Sequence, residues 1–355
     1  MDKRWQQLGD VLVNYSLAVK PGQKVMIAMT EVETYPLALA VYEACIKSGA
    51  YPQVQFLSEE FNRLVLKFGN RRQIDWVPEI EAYGMQWADV YLGLRGAHNP
   101  AALWDAPGDK LSALRRVMGT ISTMRWDKTR WCLVRVPNAA LAQQAGVDEQ
   151  TITDMFFDAC LQDWPTLRLK WQKWADILGQ GRHVRVLGKD TDLSFSVAGR
   201  SWEVFDGKLN MPDGEIATSP VETTVDGHIY FEFPGVMGGR LVNDIRLRWE
   251  NGKLVEALSS SNQDFLQAMV GSDPGASRIG EFAFGTNAKI KHFCRDILLD
   301  EKIGGTIHIA LGRAYASTGG TNQSAIHWDI VKDARQDGRV HLDDKLIFEN
   351  GNMLL

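Results

Sequence analysis

The stretch KVMIAMTEVETYPLALAVYEACIKSGAYPQVQFL, residues 24–57, decides the class of fold. Residues 24–29 follow a Pro-Gly turn as a short apolar run, which is typical of a buried strand. Residues 34–50 have apolar positions at helical spacing and end near a glycine, a common helix stop signal. Residues 52–57 are again strand-like. Strand, helix and strand in this order predict a mostly parallel sheet covered by helices.

The same alternation continues along the first half of the chain. Strand-like runs recur at 88–94 and 130–137, with helical segments between them and after them. From about residue 183 the pattern changes to short alternating strands with turn signals, including a hairpin signal at 250–252. The two halves of the chain are therefore expected to differ in architecture.

The length of 355 residues exceeds what one hydrophobic core normally serves, so two domains are expected. The predicted fold class is α/β with two domains. Residues 1–180 are predicted to form an N-terminal α/β domain with a mostly parallel sheet. Residues 181–355 are predicted to form a strand-rich α+β domain that carries the polar residues described below.

The composition argues against several classes of protein. The net charge is −5 and the basic residues are scattered, whereas a nucleic-acid-binding protein needs a concentrated basic surface. No run of eighteen apolar residues is present, so no membrane span is expected. The first 19 residues lack the apolar core of a signal peptide, and the four cysteines form no C-x-x-C pair. We therefore expect a cytoplasmic protein with reduced thiols.

The first strand is not followed by a nucleotide-binding loop. The loop TEVETYP, residues 30–36, contains no glycine, and its two glutamates would repel a phosphate. The isolated GVMGGR at 235–240 lacks the lysine pattern of a P-loop. The α/β half is therefore not expected to bind a dinucleotide.

The stretch SAIHWDIV, residues 324–331, places His327 and Asp329 two residues apart in an apolar, strand-like run. Side chains two apart in a strand project from the same face. An imidazole and a carboxylate directed to one spot predict either a buried hydrogen-bonded pair or two ligands of a metal ion. This stretch alone leaves both interpretations open.

Five further polar residues lie in apolar or glycine-rich surroundings after residue 210. They are Glu215 in NMPDGEIATSP, Glu281 in SRIGEFAFGTN, and Glu301, His308 and Tyr315 in DEKIGGTIHIALGRAY. Taken singly, each has an ordinary interpretation as a solvated acid, a satisfied core histidine or an unremarkable tyrosine. A carboxylate that enters an apolar strand, as Glu281 does, nevertheless needs a polar partner.

As a set, these side chains have the chemistry of a metal centre. Carboxylates and imidazoles suit Zn²⁺, Co²⁺ or Mn²⁺. Two histidines and three carboxylates are too many for one closed structural zinc, but they fit two ions that share a bridging carboxylate. Two ions about 3.5–4 Å apart lower the pKa of a bridging water and polarise a carbonyl. Spacing along the sequence does not show that the side chains converge.

Four motifs in the same order resemble the metal-dependent aminopeptidases of the aminopeptidase T, aminopeptidase S and PepS type, also called thermophilic metalloproteases. The family's PxGEVFTxP corresponds to MPDGEIATSP, its glycine-then-glutamate strand to RIGEFAFGTN, its DEN…HIALGxAY to DEKIGGTIHIALGRAY, and its N-x-S-x-H-x-D to NQSAIHWD. The opening LVNYSLAVKPGQKVMI and the strand GKDTDLSFSV are also similar. The resemblance therefore covers nearly the whole chain.

The resemblance implies a two-domain homodimer that removes N-terminal residues from short peptides in an active site of the C-terminal domain. It implies two divalent metal ions (Zn, Co, Mn or Mg), with Glu281 as the bridging ligand. The implied metal ligands are Glu215, Glu281, His308, Tyr315, His327 and Asp329. The catalytic candidates are Glu281, Glu301 and Tyr315, and Glu301 is the candidate that carries a proton to the leaving amine.

Three other functions use the same residues. His308, His327 and Asp329 could form the two-histidine, one-carboxylate face of a non-haem Fe(II) ring-cleaving dioxygenase. That site has no use for Glu215, Glu281 and Tyr315 as ligands. A related metal-dependent hydrolase that cuts a small, non-peptide amide is a second alternative. A protein that binds metal or peptide without turnover is a third.

Overall fold

The structure is a computed structural model that describes residues 2–125 and 128–355. The chain forms two compact units, Met1–Gln162 with Gly207–Pro212 and Asp163–Asp206 with Asp213–Leu355. Close packing within each unit does not by itself define an independently folding domain. The domain boundary near residue 180 therefore stays a prediction.

The elements of the described residues are numbered here in chain order. The helices are α1 (Lys3–Val11), α2 (Tyr35–Lys47), α3 (Glu59–Phe68), α4 (Arg71–Ile74), α5 (Glu79–Trp87), α6 (Gly108–Thr123), α7 (Ala139–Ala145), α8 (Glu149–Cys160), α9 (Trp164–Leu178), α10 (Gln263–Val270) and α11 (Ile297–Asp300). Among the described residues, no helix combines the length and the apolar character that a membrane crossing requires.

The strands are short, as the turn-rich second half predicts. They are β1 (Lys24–Met29), β2 (Tyr51–Phe56), β3 (Val90–Arg95), β4 (Arg130–Arg135), β5 (His183–Gly188), β6 (Thr191–Ser196), β7 (Glu203–Phe205), β8 (Asn210–Met211), β9 (Glu215–Thr218), β10 (Asp226–Tyr230), β11 (Gly235–Met237), β12 (Arg240–Val242), β13 (Arg246–Glu250), β14 (Lys253–Leu258), β15 (Ile279–Gly285), β16 (Thr306–Gly312), β17 (His327–Asp333), β18 (Arg339–Leu342), β19 (Lys345–Glu349) and β20 (Asn352–Met353).

The first unit is built on a five-stranded sheet with the order β2-β1-β3-β4-β8. All of its strand pairs are parallel. Strand β1 lies between β2 and β3, and five of its six residues are buried, as expected for an apolar central strand. Helix α2 has a proline in its first turn and is followed by Gly49 with φ +72°. The predicted strand–helix–strand start and the mostly parallel sheet are confirmed.

The second unit contains two larger antiparallel sheets. One has eight strands in the order β14-β13-β10-β6-β5-β18-β19-β20, and the other has five in the order β17-β16-β15-β9-β7. Strands β13 and β14 form a hairpin whose turn residues Asn251 and Gly252 have φ of 48° and 71°. These values are those of the tight turn that an Asn-Gly pair favours. The strand-rich second half is therefore confirmed, and its five-stranded sheet carries the polar residues of interest.

Candidate metal centre

In the five-stranded sheet of the second unit, one face carries polar residues from the neighbouring strands β15, β16 and β17. In the antiparallel register, Ala310 of β16 lies opposite Glu281 on one side and opposite Asp329 on the other. Gly312 lies opposite His327. Directly opposed residues of antiparallel strands project from the same face. Glu281, Asp329 and His327 therefore point to the same side of the sheet.

The same face continues across β9. His308 lies opposite Ala283, and Glu215 lies opposite Gly285. Along β9, β15 and β16 the side chains on this face next to the polar residues are small, which leaves space above the sheet for the carboxylates and imidazoles. These small residues are Ala217, Ala283, Gly285, Ala310 and Gly312. The opposite face packs large, buried apolar side chains, among them Phe282, Phe284, Ile307, Ile309 and Ile330.

Glycines precede two of the glutamates because the backbone needs them there. The register of β15 against β16 shifts between Ile279 and Glu281, so Gly280 forms an irregularity that aims Glu281. A side chain on Gly280 would overlap the carbonyl oxygens of Gly312 and Arg313. Gly214 has φ +126°, and a Cβ there would lie 3.0 Å from Cβ of Asn287. The Gly-Glu pairs of the sequence thus have a structural cause.

Glu281 lies between the two histidines. Its Oε1 is 3.5 Å from Nε2 of His308, and its Oε2 is 3.4 Å from Nε2 of His327. Nε2 of His327 is also 3.3 Å from Oδ1 of Asp329, and Nε2 of His308 is 3.7 Å from Oε2 of Glu215. One carboxylate oxygen therefore faces each imidazole, as in a carboxylate that bridges two ions.

The side chains fall into two groups in which one ligand atom of each residue lies within 4.8 Å of the others. The first cluster is Glu215, Glu301 and His308, and the second cluster is Glu281, His327 and Asp329. The structure thus brings together every acid and histidine that the sequence singled out. Glu281 connects the clusters through its contact with His308.

Several atoms at the centre are buried without a hydrogen-bond partner. They are Oε2 of Glu281 and both ring nitrogens of His308. A buried polar atom without a partner costs about 1–3 kcal/mol, and more when the group is charged. A divalent ion would satisfy Oε2 of Glu281 or Nε2 of His308, the His308 nitrogen that faces the carboxylates, so the residues fit a metal centre of the kind that the sequence predicts.

His327 is oriented by the backbone. Its Nδ1 is 2.7 Å from the carbonyl oxygen of Arg313, so Nδ1 donates a proton to this oxygen in the neutral ring. The lone pair of Nε2 then faces Glu281 and Asp329, as a metal-ligating histidine requires. Tyr315 lies beside this ring, with its hydroxyl 3.5 Å from Nε2 and the ring centroids 4.9 Å apart.

The protonation of the ligand-free centre reflects burial and crowding of charge. Burial raises the pKa of Glu281 to about 7, with the Asp329 carboxylate adding to the shift. Burial also raises the pKa values of Glu215 and Glu301. Burial lowers the pKa of His327, but the Asp329 carboxylate outweighs it and raises the value to about 10. Crowded carboxylates of this kind are stabilised in their charged form by a bound cation.

Lys302 was not predicted from the sequence. This side chain is fully buried, its ammonium contacts a carboxylate oxygen of Glu301, and Nζ is 3.2 Å from Oε2 of Glu215. Nζ is also 3.7 Å from Oδ1 of Asp213, a buried acid that the sequence analysis did not consider either. Burial lowers the pKa of Lys302, but these carboxylates raise it well above its ordinary value. A lysine within DEK normally indicates a solvated turn, so the sequence offers no clear signal for this contact.

Comparison with known proteins agrees with these observations. A sequence profile of the family described as thermophilic metalloprotease (M29) matches residues 1–353. Aminopeptidase AmpS of Bacillus subtilis is 25% identical, with 99% of each chain covered. Aminopeptidase T of Thermus thermophilus is 25% identical, with 98% of this chain and 95% of that protein covered. The matches extend over nearly the whole length of these relatives.

Two solved structures are similar in fold. Wild-type AmpT from Thermus thermophilus aligns with a TM-score of 0.89 at 22% identity and covers 99% of both chains. A 2,5-dihydroxypyridine dioxygenase from Pseudomonas putida aligns with a TM-score of 0.63 at 15% identity over 99% of this chain and 96% of that chain. At these identities the likeness concerns the fold, and it confirms the predicted fold class.

Proposed function

The chain belongs to the thermophilic metalloprotease (M29) family and is a metal-dependent hydrolase, and we propose that it is an aminopeptidase with two divalent ions that cuts short peptides. The relatives named aminopeptidase AmpS and aminopeptidase T support this activity. The observation that carries the proposal is Glu281, which directs one buried carboxylate oxygen to each of two histidines.

The residues are assigned to two ions that share Glu281. His308 and Glu215 would hold one ion with it, and His327 and Asp329 would hold the other. Tyr315 is the further candidate ligand, because its hydroxyl lies beside Nε2 of His327. The ions would be Zn²⁺, Co²⁺, Mn²⁺ or Mg²⁺. Carboxylates and imidazoles are suitable donors for the first three, and Mg²⁺ would rely on the carboxylates.

Bound in this way, two divalent ions would lower the pKa of a water and polarise the scissile carbonyl. The chain supplies the proton transfer. Glu301 lies next to Glu215 and His308, and burial raises its pKa, which favours a carboxyl that can hold a proton. Glu301 therefore accepts a proton from the attacking water and gives it to the leaving amine. The free α-amine of the substrate would bind the other ion or a nearby carboxylate, which would fix cleavage after the first residue.

The dioxygenase alternative is not favoured. Its three ligands would have to surround one ion. In the described residues, however, His308 groups with Glu215 and Glu301, whereas His327 and Asp329 group with Glu281. Even with the Lys302 ammonium beside Glu215 and Glu301, a single iron would leave part of the charge of the buried acids uncompensated.

A homodimer is proposed as the working form. Helix α2 exposes an apolar stripe at helical spacing, formed by Tyr35, Leu39, Tyr42 and Ile46. The neighbouring β2 is an edge strand of its sheet and exposes Val54 and Phe56. An open strand edge beside an apolar helix face is a surface that a second copy can cover by two-fold pairing.

The activity is tested with a panel of dipeptides and aminoacyl anilides, each offered with a free and with an acetylated N-terminus. The proposal predicts cleavage of the free substrates only, and its loss when EDTA removes the metal. Acetylated substrates are the matched control, because they keep the scissile bond and lack the α-amine. Failure to cleave any free substrate in the presence of added Co²⁺, Mn²⁺ or Zn²⁺ would reject the aminopeptidase.

A further inference from the structure

The two clusters differ in their surroundings. The ammonium of Lys302 contacts Glu301 and lies 3.2 Å from Glu215, two of the three members of the first cluster. The polar contacts of the second cluster are made instead with histidines, with the hydroxyl of Tyr315 and with the carbonyl of Arg313. One end of the centre therefore contains a lysine ammonium, and the other does not.

The charges of the buried set balance when Lys302 is counted. The carboxylates are Asp213, Glu215, Glu281, Glu301 and Asp329. One ammonium leaves four negative charges, which two divalent ions neutralise while both histidines bind in their neutral form. Without the ammonium, one buried carboxylate would have no countercharge, a costly arrangement in a low-dielectric site. Lys302 therefore fits a centre with two ions, but it neutralises charge at the first cluster only.

We propose that Lys302 makes the first cluster the weaker of the two ion sites, so that its ion binds second and exchanges readily. This inference rests on the two-ion centre proposed above. An ion at Glu215 and His308 is repelled by the ammonium. It is also attracted less strongly by the carboxylates, because the ammonium already neutralises them in part. An ion at His327 and Asp329 experiences neither effect at close range. The enzyme would then retain one firmly bound ion and depend on free metal for the other.

The Lys302 side chain cannot readily turn its ammonium away from an ion at the first cluster. The side chain is fully buried, and the backbone that follows it is closely packed, because a Cβ on Gly304 would lie 2.8 Å from Cα of Ala288. Three carboxylates surround its Nζ. The ammonium therefore stays at the first cluster whether or not an ion is bound.

The test is a calorimetric titration of chelator-treated protein with Mn²⁺, which reports binding and not activity. For the unaltered protein we expect two ions per chain, with affinities at least tenfold apart. His327→Ala should remove the tighter binding event and His308→Ala the weaker one, which assigns each event to a cluster. Equal affinities for the two ions would overturn the inference while leaving the proposed function intact.

Lys302→Met keeps an unbranched side chain that is one atom shorter and removes its charge. We expect the weaker event to tighten at least tenfold, while the tighter event changes by less than about threefold. Lys302→Arg keeps the charge and should keep the two affinities apart. Lys332→Met is the matched control, because Lys332 is also fully buried but pairs with Glu232, outside both clusters. It should leave both affinities unchanged.

Three results would contradict this inference. Weaker binding of the second ion in Lys302→Met would mean that Lys302 supports the ligands and does not oppose the ion. Loss of the affinity difference in Lys302→Arg would show that the difference does not depend on the positive charge of the side chain. Saturation at one Mn²⁺ per chain would overturn the two-ion centre and this inference together.

Discussion

At the scale of single residues, the chemistry of the centre depends on where charge is buried. Glu281 could be identified from the sequence, because a glutamate inside an apolar strand needs a partner. Its position between His308 and His327 could not, because it depends on the register of three strands. Lys302, in contrast to Glu281, could not be identified from the sequence. Its neighbours in sequence are charged, and only the folded chain shows that three carboxylates enclose it.

Glu281→Gln tests the bridging carboxylate. Replacing one oxygen by an amide nitrogen removes a ligand atom and a negative charge, so we expect the variant to saturate with Mn²⁺ at no more than one ion per chain. Peptide cleavage should fall at least 100-fold, equivalent to about 3 kcal/mol of lost transition-state stabilisation. Metal content and kcat/KM are the measurements. Glu256→Gln, an exposed substitution on β14, is the control and should change neither value.

Glu301→Gln tests whether Glu301 carries a proton or binds a metal ion. A glutamine cannot accept the proton, so we expect kcat to fall about 10²- to 10⁴-fold with both ions retained. Elemental analysis of the variant next to its kinetics decides the role. Loss of one ion would make Glu301 a metal ligand of the first cluster, and unchanged kcat would remove it from the mechanism.

At the scale of elements, alternation along β16 separates the two faces of the sheet. The sequence TIHIALG already shows isoleucines and leucine alternating with histidine, alanine and glycine. This pattern predicts a strand, but β16 is buried at all seven positions, so exposure could not tell which face holds the site. Pairing with β15 and β17 determines which face of β16 holds the site, and these strands are separate from β16 in the sequence. The bounds of β1 agree with the prediction, because the strand begins and ends where the apolar run does.

Ala310→Leu tests whether the small residues reserve space for ions. Ala310 lies directly between Glu281 and Asp329, so a larger side chain fills the volume above the sheet. Overpacking of this kind costs typically about 1–3 kcal/mol of folding stability, and we expect Mn²⁺ affinity to fall at least tenfold. The control is Ile309→Val on the opposite face, which should cost about 1 kcal/mol of stability and leave Mn²⁺ affinity unchanged. Unaltered affinity in Ala310→Leu would contradict this account of the face.

At the scale of the whole molecule, pairing between distant segments was beyond sequence reasoning. Strand β8 pairs in parallel with β4 of the first unit, although nearly eighty residues separate them in the chain. Strand β9, four residues after β8, belongs instead to the sheet with the candidate site. Local apolar patterns identify strands but carry little information about such partners. The resemblance of four ordered motifs therefore indicated more of the residues that the fold brings together than composition or spacing did.

The proposed homodimer is tested with Leu39→Lys combined with Ile46→Lys on the exposed face of α2. Two buried charges at an apolar interface are costly, so we expect the variant to elute as a monomer in size-exclusion chromatography with light scattering. Lys47→Gln, an exposed change on the same helix, is the control and should keep the mass of the unaltered protein. A dimer that persists in the double variant would show that the copies pair elsewhere, and a monomeric unaltered protein would reject the dimer.

The most direct test of the central claim is the metal content of the protein purified without added metal or chelator and saturated with Mn²⁺, Co²⁺ or Zn²⁺ before analysis. The account predicts two divalent ions per chain in the saturated protein, and loss of peptide cleavage when EDTA removes them. One ion per chain at saturation, or cleavage that survives complete removal of metal, would contradict a centre in which Glu281 joins two ions.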